Sequence, residues 1–107
     1  MNPKVRLAVQ FMKCNLNREL TIDEIAKAAV LKHSRLCEVF QIEFKMPPLR
    51  YHKRLRLQKA SEQLENSLDK VEVIIVELGY DRRRFFRDFK AHFGVTLSQY
   101  RARHIKA

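Results

Sequence analysis

The sequence predicts an all-α domain: two helix-turn-helix subdomains joined by a long connecting helix. Three observations lead there. A ladder of apolar anchors repeats without a gap at an offset of 49 residues. Helix-capping signals stand ahead of the apolar runs. Only two glycines and three prolines occur in 107 residues, too few turn-formers for a sandwich or barrel of many strands.

In the ladder, Ile22, Ile25 and Phe40 recur as Val71, Ile74 and Phe89, and Leu36, Phe44 and Tyr51 recur as Phe85, Phe93 and Tyr100. Arg35 recurs as Arg84, and Arg54 as Arg103. Each copy reads as helix, tight turn, helix and the start of a third helix. In the first, Thr21 with Glu24 three residues on makes a capping box ahead of Ile22, Ile25, Ala26 and Ala29. In the second, Asp69 with Glu72 precedes Val71, Ile74, Ile75 and Leu78. Gly79 then ends that helix, at a position that calls for positive φ. Asp81 is placed to cap the next helix, whose apolar face is Phe85, Phe89 and Phe93, matching Leu36, Phe40 and Phe44. Val71–Val76 has strong β propensity, but its caps and its repeat partner predict helix.

Between the copies, Pro47 and Pro48 open a helix, since a proline in the first turn loses no needed hydrogen bond. Its apolar residues are Leu49, Leu55, Leu57, Ala60 and Leu64, interleaved with Arg50, Lys53, Arg54, Arg56 and Lys59. At 1.5 Å per residue this connector is roughly 25 Å long and can hold the two copies a fixed distance apart. A last helix is expected from Thr96, with Gln99 as box partner, to near Ile105. The expected organisation is therefore residues 1–46, 47–66 and 67–107.

Composition narrows the function. A 46% apolar and 32% charged chain of this length can bury one core and is not disordered. The 22 Lys and Arg against 12 Asp and Glu give a net charge of +10, which suits a polyanionic partner: nucleic acid first, an anionic membrane surface second. No apolar run nears the ~18 residues that span a bilayer, and the N-terminus lacks a signal peptide's apolar block. Cys14 and Cys37 make no disulfide framework, so a reducing cytoplasm is the expected location. His33 and Cys37 have the spacing of two helical metal ligands, but no further ligands accompany them and no metal is expected. The histidines His33, His52, His92 and His104 are scattered and expected on the surface or facing a groove. With neither a nucleophile–base pair nor a glycine-rich phosphate loop, no enzyme and no cofactor are expected.

The second helix of a helix-turn-helix pair can enter a major groove if one face is apolar and the other polar or cationic. Residues 81–90 fit that requirement: Arg82, Arg83, Arg84, Arg87 and Lys90 place five cations around an apolar spine. The helix N-terminus beneath the first three already favours anions. The first copy presents His33, Ser34, Arg35, Cys37, Glu38 and Gln41, with no cationic cluster. Ser34, Arg35 and Gln41 can bond to bases or phosphates, and Glu38 can accept from cytosine N4. Two other readings fit the charge: a basic helical module that contacts a protein or an anionic surface, and a non-specific nucleic-acid binder.

Specific motifs complete the reading. Glu77-Leu78-Gly79-Tyr80, Phe85-Phe86-Arg87-Asp88-Phe89-Lys90, Phe93-Gly94-Val95-Thr96 and Tyr100-Arg101 resemble the C-terminal signature of the AraC/XylS family of bacterial transcription regulators. Arg56-Leu57, Ala60 and Leu64 stand where the connector of that family has such residues. The resemblance covers nearly the whole chain. It implies seven helices in two subdomains, sequence-specific binding of double-stranded DNA, and recognition helices (about 33–44 and 82–93) in successive major-groove segments. It also implies contact with RNA polymerase.

Family base contacts carried onto this chain fall on Ser34, Cys37 and Glu38, and on Arg82, Arg83, Phe86 and Arg87. Phosphate contacts fall on Arg35, Arg54, Arg84 and Lys90. Most members carry an additional sensing or dimerising domain, for which these residues leave no room, so a stand-alone regulator or a C-terminal piece is expected. Four departures bear on geometry. The Gly79-to-Phe89 interval is one residue shorter than is usual in the family, which re-aims Arg82 to Arg84. Val30 and Lys45 replace usual glycines, and Leu97 replaces a usual proline. A β-branched Val30 requires either another turn geometry or strain.

Overall fold

The computed structural model describes residues 1–66 and 70–104, which form seven helices and no strand. These are α1 (Pro3–Lys13), α2 (Ile22–Ala29), α3 (His33–Phe44), α4 (Pro48–Asn66), α5 (Val71–Glu77), α6 (Arg82–Phe93) and α7 (Leu97–His104). The valine-rich run is helical, as its repeat partner predicts. Burial of Ile74 and Ile75 on one face outweighs its β propensity.

The caps account for most of the boundaries. The Thr21 hydroxyl accepts from the Glu24 backbone N–H at 3.2 Å, while Glu24 Oε1 accepts from the Thr21 N–H at 3.1 Å. Thr96 and Gln99 form the same reciprocal box at 3.2 and 3.0 Å. Asp81 Oδ2 accepts from the Arg84 N–H at 3.0 Å. At α5 the N-cap position is Lys70, without a side-chain cap bond; Asp69 and the expected end of the last helix at Ile105 lie outside the described residues.

The chain divides into two compact units, with the division at Leu55/Arg56, inside α4. In the first, Val5, Ala8, Val9 and Met12 of α1 pack with Ile25, Ala26 and Ala29 of α2 and with Leu36, Val39 and Phe40 of α3. Phe40, Phe44 and Tyr51 form an aromatic triad with centroids 4.2–5.8 Å apart. In the second, Leu57, Ala60 and Leu64 of α4 pack with Ile74, Ile75, Leu78, Phe85, Phe89 and Leu97. Phe89, Phe93 and Tyr100 rebuild the triad at 4.4–5.3 Å. Tyr100 also donates to Glu65 Oε1 at 2.7 Å, tying α7 to α4, and partial burial together with Glu65 raises its phenol pKa.

The predicted connector is thus a core element of both units. Pro48 at its start is buried like Leu97 at the start of α7. Its later stripe, Leu57, Ala60, Ser61 and Leu64, has the spacing of Val5, Ala8, Val9 and Met12 in α1, and all eight residues are buried. Two expectations need correction. Leu49 is exposed, since α4 turns the Pro48–His52 side inward. His52 is not a surface residue: it is 3% exposed, with Nε2 2.8 Å from the Asn15 carbonyl oxygen, and it takes an apolar position because that carbonyl satisfies it.

Both turns reverse through one left-handed residue, Val30 (φ 55°) and Gly79 (φ 59°). Around each, a pair of backbone bonds closes the preceding helix: Leu31 N–H to Ala26 O (2.9 Å) with Val30 N–H to Lys27 O (3.2 Å), and Tyr80 N–H to Ile75 O (3.0 Å) with Gly79 N–H to Val76 O (3.0 Å). Of the two options open to Val30, the turn takes strain and keeps the glycine geometry. Lys45 (φ 61°) does the same at the end of α3, where Gly94 (φ 74°) ends α6.

Two predictions follow from these local geometries. An L-residue in the left-handed region costs roughly 1–2 kcal/mol, and glycine returns part of that gain as unfolded-chain freedom. Val30→Gly is therefore expected to raise stability by about 0.5–1 kcal/mol in urea denaturation. The Arg18 side chain, then the Thr21 N–H, hold the Glu24 pKa down from 4.5 to about 2. Its stabilising effect is complete above pH 4.5 and lost as pH falls toward 2. The stability difference between the parent and Glu24→Gln should shrink across that window in acid titrations of unfolding.

Candidate nucleic-acid interface

Because the repeat runs through α3 and α6 without a gap, their solvent faces correspond residue by residue. The exposed positions Ser34, Cys37, Glu38 and Gln41 of α3 are the counterparts of Arg83, Phe86, Arg87 and Lys90 of α6. Each set follows the i, i+3, i+4, i+7 spacing of one helical face. Opposite them, Leu36 with Phe40 and Phe85 with Phe89 are fully buried, which fixes the rotation of each helix about its axis.

On α6, Arg82 lies with its guanidinium 4.8 Å above the Phe86 ring centre and its Nη2 3.4 Å from Glu72 Oε1 of α5. Phe86 is half-buried, edge-on to Phe85 at 6.2 Å, so its ring serves the core on one side and Arg82 on the other. Arg83 is exposed and has no polar side-chain partner among the described residues. Arg87 projects into solvent, its side chain 72% exposed, with Nε 3.5 Å from the buried Asp88 carboxylate. Arg84 and Lys90 are exposed on the same helix.

The α3 face is close to neutral. Arg35 Nη1 donates to Glu38 Oε1 at 2.7 Å, pairing an expected phosphate contact with an expected base contact one turn away. His33 at the start of α3 pairs with Asp23 of α2. Cys37 is an exposed free thiol, and Ser34 is exposed beside it. Arg54 is exposed on the part of α4 that belongs to the first unit. Every residue expected at the interface is therefore exposed except Phe86, which is half-buried and shared with the core.

Sequence reasoning missed the groups that hold the turns. Arg56 is 3% exposed; its Nη2 donates to the carbonyl oxygens of Leu78 (2.6 Å) and Gly79 (3.3 Å), and its guanidinium lies 4.2 Å over the Tyr80 ring. In the first unit, Lys4 Nζ donates to the Val30 carbonyl at 3.3 Å. A cation on the first helix of each unit thus binds the carbonyl of the left-handed residue, where a helix C-terminus attracts positive charge. The available signal was Arg56 four residues before Ala60, on the apolar stripe of α4. Tyr80 in turn donates to Asp88 Oδ2 at 2.9 Å.

Two helix-turn-helix units, each with a polar stripe outward and an aromatic triad inward, define a double helix-turn-helix domain of the nucleic-acid-binding class. A family model described as a helix-turn-helix domain matches residues 25–103, and the chain belongs to that family, the AraC type of helix-turn-helix DNA-binding domain. It is 28% identical over 102 residues to the lactose operon transcription activator of Staphylococcus xylosus, covering 94% of this chain and 37% of that relative. Among solved structures it resembles the C-terminal domain of AraT, a response regulator from Geobacillus stearothermophilus: TM-score 0.89, 25% identity, covering 99% of this chain and 89% of that one. It also resembles an AraC-type transcriptional regulator from Chromobacterium violaceum, with TM-score 0.88, 26% identity and coverage of 95% and 92%. No helix among the described residues is long and apolar enough to cross a membrane.

The two turn-binding cations differ in burial, and their removal should differ accordingly. Arg56→Met strands a buried carbonyl and is expected to cost roughly 2 kcal/mol. Lys4→Met, at an exposed bond, is expected to cost less than about 0.5 kcal/mol. Urea denaturation of the two variants measures the contrast.

Proposed function

We propose that this chain binds double-stranded DNA sequence-specifically in transcription regulation, with α3 and α6 entering successive major-groove segments. The observation that supports this most is the pair of corresponding solvent faces, four side chains each, on helices whose opposite faces are locked into aromatic cores. In this reading Ser34, Cys37 and Glu38 read bases from α3, and Arg82, Arg83, Phe86 and Arg87 read them from α6. Arg83 and Arg87, one turn apart, each suit guanine O6 and N7, and the exposed part of Phe86 suits a thymine methyl. Arg82, shared between Glu72 and Phe86, is the reader most tied to its own unit. Arg35, Arg54, Arg84 and Lys90 contact phosphates and release counterions.

The chain spans 37% of the length of its Staphylococcus relative. Contact with RNA polymerase and a place of action at the bacterial nucleoid, in the cytoplasm, complete the proposal. It involves neither catalysis nor a cofactor.

Selection from random duplex DNA should yield one motif spanning two helical turns, and enrichment of unrelated sequences would refute the reading. On the selected site, Arg87→Ala is expected to cost ~1–3 kcal/mol for a lost bidentate contact and to blur preference in one half only. Arg54→Ala should weaken all sequences alike and lower the salt slope by about 1. Anionic vesicles that compete with the duplex at equal salt would favour a surface-binding module instead.

A further inference from the structure

Asp88 is a carboxylate buried on the helix assigned to DNA, a costly arrangement unless its oxygens are satisfied. Tyr80 and Arg87 are among the groups that face them. Oδ2 accepts from the Tyr80 hydroxyl at 2.9 Å, and Oδ1 lies 3.5 Å from Arg87 Nε. Tyr80 is itself fixed, edge-on to Phe85 at 5.2 Å and beneath the Arg56 guanidinium at 4.2 Å. A continuous support therefore runs from α4 through Tyr80 and Asp88 to the exposed guanidinium of Arg87.

The fold does not need this pair. At the counterpart positions, the first unit has Leu31 against its core and Val39 within it, and Glu38 where Arg87 stands. The same turn and helix pair form there with apolar side chains at these two positions. A buried polar pair where an apolar one would serve calls for a role outside packing.

We propose that Asp88, held by Tyr80, is a positioning residue for Arg87 and sets base discrimination at the pair Arg87 reads. An arginine has five N–H donors in a planar fork and can approach guanine along either of two edges. With Nε turned to Asp88, the terminal amino groups are left to bond O6 and N7 end-on, and the stem is held against the helix. A lost carboxylate frees the guanidinium to swing to phosphates, which raises sequence-independent attraction while lowering discrimination. The proposal rests on base reading by Arg87.

The experiment uses the full chain and its selected duplex, together with the duplexes altered at each base pair and a scrambled duplex. Arg87→Ala first identifies the base pair at which discrimination is lost. Asp88→Asn is expected to reduce discrimination at that same pair by about tenfold, with affinity for the scrambled duplex unchanged or higher. The double variant Tyr80→Leu/Asp88→Val, which installs the apolar pair of the first unit, should fold and show the same loss. In an Arg87→Ala background, Asp88→Asn should add nothing. Equal weakening on every duplex, or an additional loss in the Arg87→Ala background, would show that the carboxylate only ties the helix to its turn. If Arg87→Ala leaves discrimination intact at every position, base reading by Arg87 fails first and the positioning role with it.

Discussion

The direction of each recognition helix is set at one residue, the left-handed position between it and the helix before. At Val30 and Gly79 the chain reverses within a few residues, and the same two backbone bonds close both turns. The carbonyl of that residue is then bound by a cation from the first helix of its unit, Lys4 or Arg56. Conformation and electrostatics converge there: a helix ends, its last carbonyls lack helical partners, and a positive group offsets both the dipole and the missing hydrogen bonds. The sharper demand explains why Val30 is tolerated. A strained φ persists only where its surroundings over-determine it, and backbone bonds on both sides, with Leu36 and Phe40 locked into the core beyond, hold Val30 in place.

The second constraint is the shared use of α4. Its first half completes the aromatic triad of the first unit through Tyr51, and its second half supplies Leu57, Ala60 and Leu64 to the second core. Each unit has only about fifty residues, a size at which buried apolar area barely offsets chain entropy. Two small cores built on one continuous helix avoid a separate linker and its ordering cost. Arg56 extends the economy, since one buried side chain caps the α5 carbonyls and stacks on Tyr80 at once.

Much of this was legible from the sequence because the informative residues act locally. The boxes at Thr21 and Thr96, the cap at Asp81 and the turn at Gly79 are all decided within four residues of chain, and the aromatic ladder declares itself through its repeat; each stands where it was expected. The apolar faces of α3 and α6 followed from helical period, and the residues on their outward faces from the family resemblance. What stayed hidden is long-range. His52 and Arg56 are polar residues on a highly charged helix, and only their partners Asn15 and Leu78, far along the chain, reveal them as buried. The kinship of Lys4 and Arg56 was obscured because the first helix of each unit repeats at an offset of 52 residues rather than 49, the α1–α2 loop being longer. Tyr80 and Asp88 belong to the motif in the sequence, but their hydrogen bond forms only once the turn folds between them.

The corresponding stripes divide the work of recognition unequally. In the proposed complex α6 contributes arginines and a lysine, which gain affinity from any duplex through counterion release. The α3 face, with Arg35 paired to Glu38, gains little from phosphate as such. A carboxylate in a groove is rewarded only at a cytosine amino group and repelled wherever the register places it near a phosphate or a guanine acceptor. The cationic unit therefore supplies the attraction, while the near-neutral unit penalises wrong sites. That division would be of little use if the cations themselves were free to slide between base and backbone. It requires some of them to be held in a fixed direction by their own scaffold, as Arg82 is by Glu72 and Phe86 and as Arg87 is with its Nε beside a buried carboxylate.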